Sequence, residues 1–290
     1  MLNSDFNNGI DGGLDMKFVE NMPNSEYHKG EGVSKSTLDM SSADLFKPLW
    51  AKKCPQDQEK IKTFDFGDAM HAICLEPDRL ESEFVMMPSL NRSTKQGKID
   101  AKVFEEEHKN FKILTADEYK KLNLMYESVM AHIPARELIE AQGIAEGSYF
   151  WNDEKTGLIC KCRPDKHIID RNLLVDVKTA PSLAKFCYSV EDYRYHVQDA
   201  WYCDGVSRFY DEPVRMEFLV IQKTIEIGRY PVMVVKLPPE AIEYGRALYR
   251  EDLSRYHEFF SAGSPIETKE LPMHYRFLDN AMEKITEVRI

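Results

Sequence analysis

From Cys160 the chain reads Cys-Lys-Cys-Arg-Pro-Asp165, turns at Asp170-Arg171-Asn172, and continues Leu-Leu-Val-Asp176-Val-Lys178-Thr-Ala. The runs Leu158–Cys162 and Leu173–Val177 are short, apolar and bounded by turn residues, which predicts neighbouring strands joined by a tight turn. Strand side chains alternate faces, so Asp176 and Lys178 share one side while Val177 points into the core. Two carboxylates, Asp165 and Asp176, brought together without a partner would repel and resist burial. Their pairing therefore implies a hard divalent cation with oxygen ligands. A lysine at its rim can orient or deprotonate a water and stabilise an anionic transition state. An isolated Asp-x-Lys is more often a solvated surface pair, so the rest of the chain must agree.

Composition sets the outer limits. A chain of 290 residues with 43% apolar and 11% aromatic content can bury one large core. There is no apolar run of membrane-spanning length, and the opening MLNSDFNNGIDGG lacks the regions of a signal peptide. A cytoplasmic protein with no membrane partner is expected. The net charge of −11 argues against a general nucleic-acid-coating protein, though not against an enzyme with a basic channel inside an acidic exterior. The cysteines at 54, 74, 160, 162, 187 and 203 form no Cys-x-x-Cys pair, so free thiols are expected and no zinc or iron–sulfur site.

Residues 1–30 lack periodicity and are expected to form a flexible arm, followed by a catalytic domain over 31–263 and a tail over 264–290. Ser34-Lys-Ser-Thr-Leu38 opens a helix that Pro48 and Pro55 should interrupt, and a second helix is predicted over 60–75. The segment 78–112 is mixed, with a polar, lysine-bearing loop at 91–98. Thr115-x-x-Glu118 is a capping box for a helix ending near Pro134. Strands follow over 147–151, a helix over 190–210, strands over 214–222 and 230–237, and a helix from Pro238-Pro239 through Phe260, closed by Gly263. The order predicts an α+β (α/β) fold with a mixed central sheet flanked by helices.

Three further features matter. Gly67-Asp-Ala-Met-His71 sets a histidine at the polar edge of a helix; Gln198 and Tyr202 lie one turn apart on another. Glu146 precedes a strand, where a surface glutamate is the plainer assignment. Gly67-x-x-x-His71, Arg163-Pro-Asp165, Asp176-Val-Lys178 and Gln198-x-x-x-Tyr202, in this order, resemble the motif series of the RecB-like PD-(D/E)XK nucleases. Within that group the chain is most similar to the RecE-type exodeoxyribonuclease VIII family, over roughly residues 30–262.

The resemblance implies a PD-(D/E)XK core and a 5′ to 3′ exonuclease on linear double-stranded DNA, leaving 3′ strands for recombination by annealing. His71, Asp165, Asp176 and the Val177 carbonyl are the implied ligands of Mg²⁺, for which Mn²⁺ can substitute, with Glu146 a further carboxylate. Lys178 is implied to act on the attacking water, with Gln198 and Tyr202 positioning groups around it. The implied partners are double-stranded DNA ends, further copies of the chain in a toroidal oligomer such as a tetramer, and an annealing protein of the RecT type. Lys35, Ser36 and the 91–98 loop are candidate DNA contacts. The rival assignments are an end-independent endonuclease of the same fold and a non-catalytic DNA-end-binding protein.

Overall fold

The structure, a computed structural model, describes residues 16–53, 58–210 and 212–261. In chain order the elements are β1 (Met16–Val19), α1 (Asn24–Lys29), α2 (Lys35–Ala43), α3 (Lys47–Lys53), α4 (Gln58–Leu75), α5 (Pro77–Glu83), β2 (Phe84–Met86), α6 (Lys95–Glu107) and β3 (Lys112–Leu114). Then come α7 (Ala116–Ala131), α8 (Ile133–Glu140), β4 (Ile144–Ala145), β5 (Ser148–Asn152), β6 (Ile159–Cys162), β7 (Lys166–Ile168), β8 (Leu173–Ala180), α9 (Phe186–Asp192), α10 (Tyr195–Ser207), β9 (Arg215–Gln222), β10 (Val232–Val235) and α11 (Pro239–Ser261).

A five-stranded mixed sheet, ordered β10-β9-β8-β7-β4, carries the fold. Its central pair, β8 and β9, is parallel, and the crossover between them contains α9 and α10. Central strands covered on both faces need apolar residues on both, and Leu-Leu-Val-Asp-Val supplies them with one exception. Leu173, Val175 and Val177 face a core shared with Met70, Leu122 and Met125. Leu174 and Ala180 face the core around Trp201 and Phe218. Asp176 therefore enters the α10 side of the sheet, fully buried. The α11 helix closes that layer, and Gly245 lets it approach so closely that a Cβ there would clash with the His196 carbonyl oxygen.

Several expectations need revision. Strands 158–162 and 173–177 are not neighbours: β6 belongs to a second sheet, ordered β1-β5-β6, and the antiparallel partner of β8 is β7. Pro164 is the physical reason, since it has no N–H to continue a ladder and splits the run in two. The expected arm is ordered from Met16: β1 pairs with β5, and Tyr27 of α1 is buried. Pro48 does not interrupt a helix but sits in the first turn of α3, where a missing N–H costs nothing; α7 does end near Pro134, at Ala131, and Pro134 lies in the first turn of α8. Half of the 91–98 loop is helical, because the Thr94 hydroxyl accepts the Gly97 N–H at 3.0 Å and caps α6. The helix over 190–210 is two helices, broken where Arg194 takes the left-handed conformation at φ 54°. Both expected N-caps, Ser34 and Thr115, form capping boxes. Cys54, Pro55, Gly263, residues 1–15 of the arm and the 264–290 tail lie outside the described residues.

Candidate metal centre and active site

The site begins where β7 stops. Its pairing with β8 runs from Ile168↔Leu173 to Lys166↔Val175, which leaves the next N–H on that edge, Val177, without a ladder partner. The carboxylate of Asp165 takes it, Oδ2 accepting at 2.6 Å. The N–H and C=O of a strand residue leave on the same edge, so the Val177 carbonyl also opens beyond the end of β7. Ala145 pairs with Lys166, which sets Glu146 opposite Asp165, and the Glu146 N–H donates to the Asp165 carbonyl at 3.0 Å. Glu146 holds φ at 51°, a conformation costly for a residue with a Cβ and one that concentrates at functional sites. From α4, anchored by buried Ala69, Met70 and Ala72, His71 brings Nδ1 to 3.2 Å from Asp165 Oδ2.

His71, Glu146 and Asp165 thus bring one ligand atom each within 4.8 Å of one another, the only such group of three among the described residues. From spacing alone the Asp165–Asp176 pair leads; in the structure Glu146 completes the compact cluster instead. Asp176 stands beside it in a second set. Its Oδ1 accepts from Lys178 Nζ at 2.8 Å and from the Gln198 amide. Its Oδ2 lies 2.6 Å from the same ammonium yet receives no hydrogen bond of proper angle while buried from solvent. Asp68, next to the histidine motif, is drawn away by Arg79 and Lys112.

Electrostatics tie the groups together. Burial opposes a charge on His71, but the Asp165 carboxylate outweighs it and raises the imidazole to about 9. Burial also opposes the Asp165 charge, but His71, then Lys178 and the Val177 N–H, more than compensate, so Asp165 stays below the usual carboxylate range. For Glu146 the balance goes the other way: burial, then the charge of Asp165, outweighs the pull of His71 and Arg163 and pushes it to about 8. Asp176 is raised by burial and by Asp165. Burial disfavours the Lys178 ammonium, yet Asp176 and Asp165 overcome this and raise it, so the lysine is protonated at neutral pH.

The remaining predicted residues divide. Tyr202 sits one turn beyond Gln198, its hydroxyl pushed well up by burial first and then by nearby groups that include Asp176 and Asp165. Lys35 lines a cleft of about 870 Å³ together with Lys178 and Gln198. Its ammonium is held by Asp39 at 2.6 Å and the Tyr193 carbonyl at 2.6 Å. Ser36 faces Ser34 in the first turn of α2 and is not among the cleft-lining residues. A basic channel is not what lines this cleft: Lys35, Lys178 and Arg194 are each matched to a carboxylate. Sequence reasoning missed Tyr195, whose ring lies 4.8 Å beneath Lys178 Nζ. The signal was present, since Tyr195, Gln198 and Tyr202 fall at i, i+3 and i+7 on one helical face.

Two carboxylates and one imidazole, with a buried Asp176 oxygen lacking a hydrogen bond nearby, suit Mg²⁺ or Mn²⁺, and the nitrogen ligand favours manganese more than magnesium. No helix among the described residues is long and apolar enough to cross a membrane. The described cysteines are all free thiols.

Residues 46–270 match the family described as a PDDEXK-like domain of unknown function (DUF3799). No curated protein matches the chain. Among solved structures it is similar to a candidate exonuclease from Eubacterium rectale, with a TM-score of 0.59 and 14% identity over 87% of this chain and 90% of that one. A phage-related exonuclease from Haemophilus somnus 129PT is a looser match, with a TM-score of 0.30 and 11% identity over 59% of this chain and 85% of that one. The chain belongs to the PDDEXK-like family and has the PD-(D/E)XK fold.

Proposed function

We propose that this member of the PDDEXK-like family is a cytoplasmic, metal-dependent exodeoxyribonuclease of the RecE type. It digests linear double-stranded DNA from 5′ to 3′ and leaves 3′ strands for an annealing partner of the RecT type. The observation that carries the reading is the convergence of His71, Glu146 and Asp165 on one point, with the Asp176–Lys178–Gln198 set alongside. Such a site needs a negatively charged substrate that a cation can bridge, and a phosphodiester is one.

His71, Glu146 and Asp165 would hold the ion, with Asp176 and the Val177 carbonyl as additional oxygen donors. When bound, Mg²⁺ or Mn²⁺ supplies Lewis acidity toward a phosphoryl oxygen and lowers the pKa of a bound water. The protein's own groups do the rest. Lys178, protonated and fixed by Asp176, acts as a hydrogen-bond donor and positive charge facing the cleft rather than as a base. The Gln198 amide donates to the same Asp176 oxygen, Oδ1, that Lys178 bonds, and so helps to hold the carboxylate in place. Tyr195 supplies an aromatic face beneath the ammonium. Tyr202 stays protonated and can donate toward the carboxylates. Lys35 and Ser36, at the start of α2, are proposed to lie along the DNA path, and a toroidal homo-oligomer would keep a duplex end engaged.

Degradation of end-labelled linear duplex and of a closed circle, with Mg²⁺, Mn²⁺ or EDTA, tests the proposal. Loss of the linear duplex alone, from the 5′-ended strand and only with metal, is expected. Cutting of the circle would establish the end-independent endonuclease instead, and no hydrolysis with either metal would leave a non-catalytic DNA-end-binding protein.

A further inference from the structure

The cleft beside Lys178 ends in an aromatic ladder. Phe186 stacks on Tyr195 at 5.8 Å and 27°, and Tyr195 stacks on Tyr193 at 5.7 Å and 28°. The inner rings belong to the core, but Tyr193 is 61% exposed and lines the cleft. Its backbone is nevertheless fixed from both sides. The Tyr193 carbonyl accepts from Lys35 at 2.6 Å, and the next residue, Arg194, is held in the left-handed conformation by Asp252, Asp39 and Ser42. An exposed ring on a pinned backbone loses little entropy on binding a flat partner.

We infer that Tyr193 is a stacking site for one unpaired DNA base, which extends the Phe186–Tyr195–Tyr193 ladder as its fourth member. The inference rests on DNA as the substrate of the adjacent site and adds the form in which the strand is held. A base inside a duplex is already stacked on both faces, so only an unpaired or terminal base can offer one to Tyr193. The cleft cations are neutralised by Asp39, Asp176 and Asp252, so phosphate neutralisation contributes little here and stacking carries the recognition.

The test measures binding of a fluorescent single strand in EDTA, where hydrolysis does not intervene, with an abasic position moved along the strand. In the wild-type full chain one abasic position is expected to weaken binding about tenfold, the size of one base–aromatic stack. With Tyr193→Ala the intact strand is weakened by the same factor, the sensitive abasic position costs nothing further, and Tyr193→Trp binds at least as well as wild type. The logarithm of affinity should fall only weakly with the logarithm of salt concentration. Absence of single-strand binding, absence of any sensitive position, or undiminished binding by Tyr193→Ala overturns the inference. A change in sedimentation mass of Tyr193→Ala with DNA binding intact overturns it in favour of a contact between copies of the chain. Because hydrolysis is scored separately, a stacking strand with no cleavage in Mg²⁺ or Mn²⁺ would refute the nuclease and leave the stacking site standing.

Discussion

Without metal, the protein should lose stability as pH rises from about 5 to 9, opposite to the trend set by ordinary salt-bridged carboxylates. His71 titrates at 6.5 in the unfolded chain and about 9 in the fold, where Asp165 holds its charge. Between those values the native state keeps a proton that the unfolded chain has released, so stability falls as pH climbs. That stabilisation is complete below 6.5, is gone above 9, and is worth at most about 3 kcal/mol. Glu146 acts in the same direction: raised from 4.5 to about 8, it keeps a proton that the unfolded chain gives up. The two contributions both lean on Asp165 and so do not add. For a chain of this size 3 kcal/mol corresponds to a fall in Tm of roughly 6 °C. Metal binding needs the same groups deprotonated, so the Tm gain from Mg²⁺ or Mn²⁺ should be small at pH 6 and large at pH 8.5. Calorimetry in EDTA and in excess metal reads both trends, and His71→Gln should leave a shallower metal-free profile that is level above about pH 8, where Glu146 has given up its proton. A metal-free Tm that rises or stays level from pH 6 to 9 would refute the coupling of His71 to Asp165.

Lys178→Ala should lower DNA hydrolysis by a factor of about 100 or more. It should also cost about 3 kcal/mol of stability by stranding the Asp176 carboxylate, part of which Asp176→Asn on the same chain restores; denaturant titration checks this. Gln198→Leu removes a donor from Asp176 and should reduce hydrolysis about tenfold with little change in KM for DNA, as steady-state kinetics would show. Gly245→Ala drives a Cβ against the His196 carbonyl and should destabilise the protein by more than about 2 kcal/mol, seen as a lower Tm at unchanged metal affinity.

The elements visible in the sequence are those whose signal is local. Thr115-x-x-Glu118 caps α7 because both halves of the box lie within one turn, and the apolar run through Val177 is a central strand because nothing else tolerates it. What stayed hidden depends on partners distant in the chain. The split between β6 and β7 turns on which strand Cys162 pairs with, and that partner, Tyr149, lies in β5, the preceding strand of the same hairpin. Met16–Lys29 read as an arm because β1 is four residues long and gains its place only by pairing with β5. Likewise Glu146 looked like a surface acid, since its proximity to Asp165 arises from the two-residue strand β4 meeting β7.

The two aspartates, which their spacing in the sequence makes look alike, play different roles. If mutual repulsion dominated, removing either charge would stabilise the metal-free protein. Asp165, however, is neutralised by His71 and anchored to the Val177 N–H, so Asp165→Asn gives up a charged partner and should destabilise the fold. Asp176 is raised by burial and by Asp165, so Asp176→Asn relieves an unfavourable charge while keeping an oxygen for Gln198 and Lys178, and the ammonium it leaves without a counter-charge opens onto the cleft rather than being sealed from solvent. It should therefore be neutral or stabilising without metal. Opposite signs for the two substitutions in metal-free unfolding would show that Asp165 belongs to the histidine and Asp176 to the lysine; equal signs would mean that the two carboxylates act as a single pair.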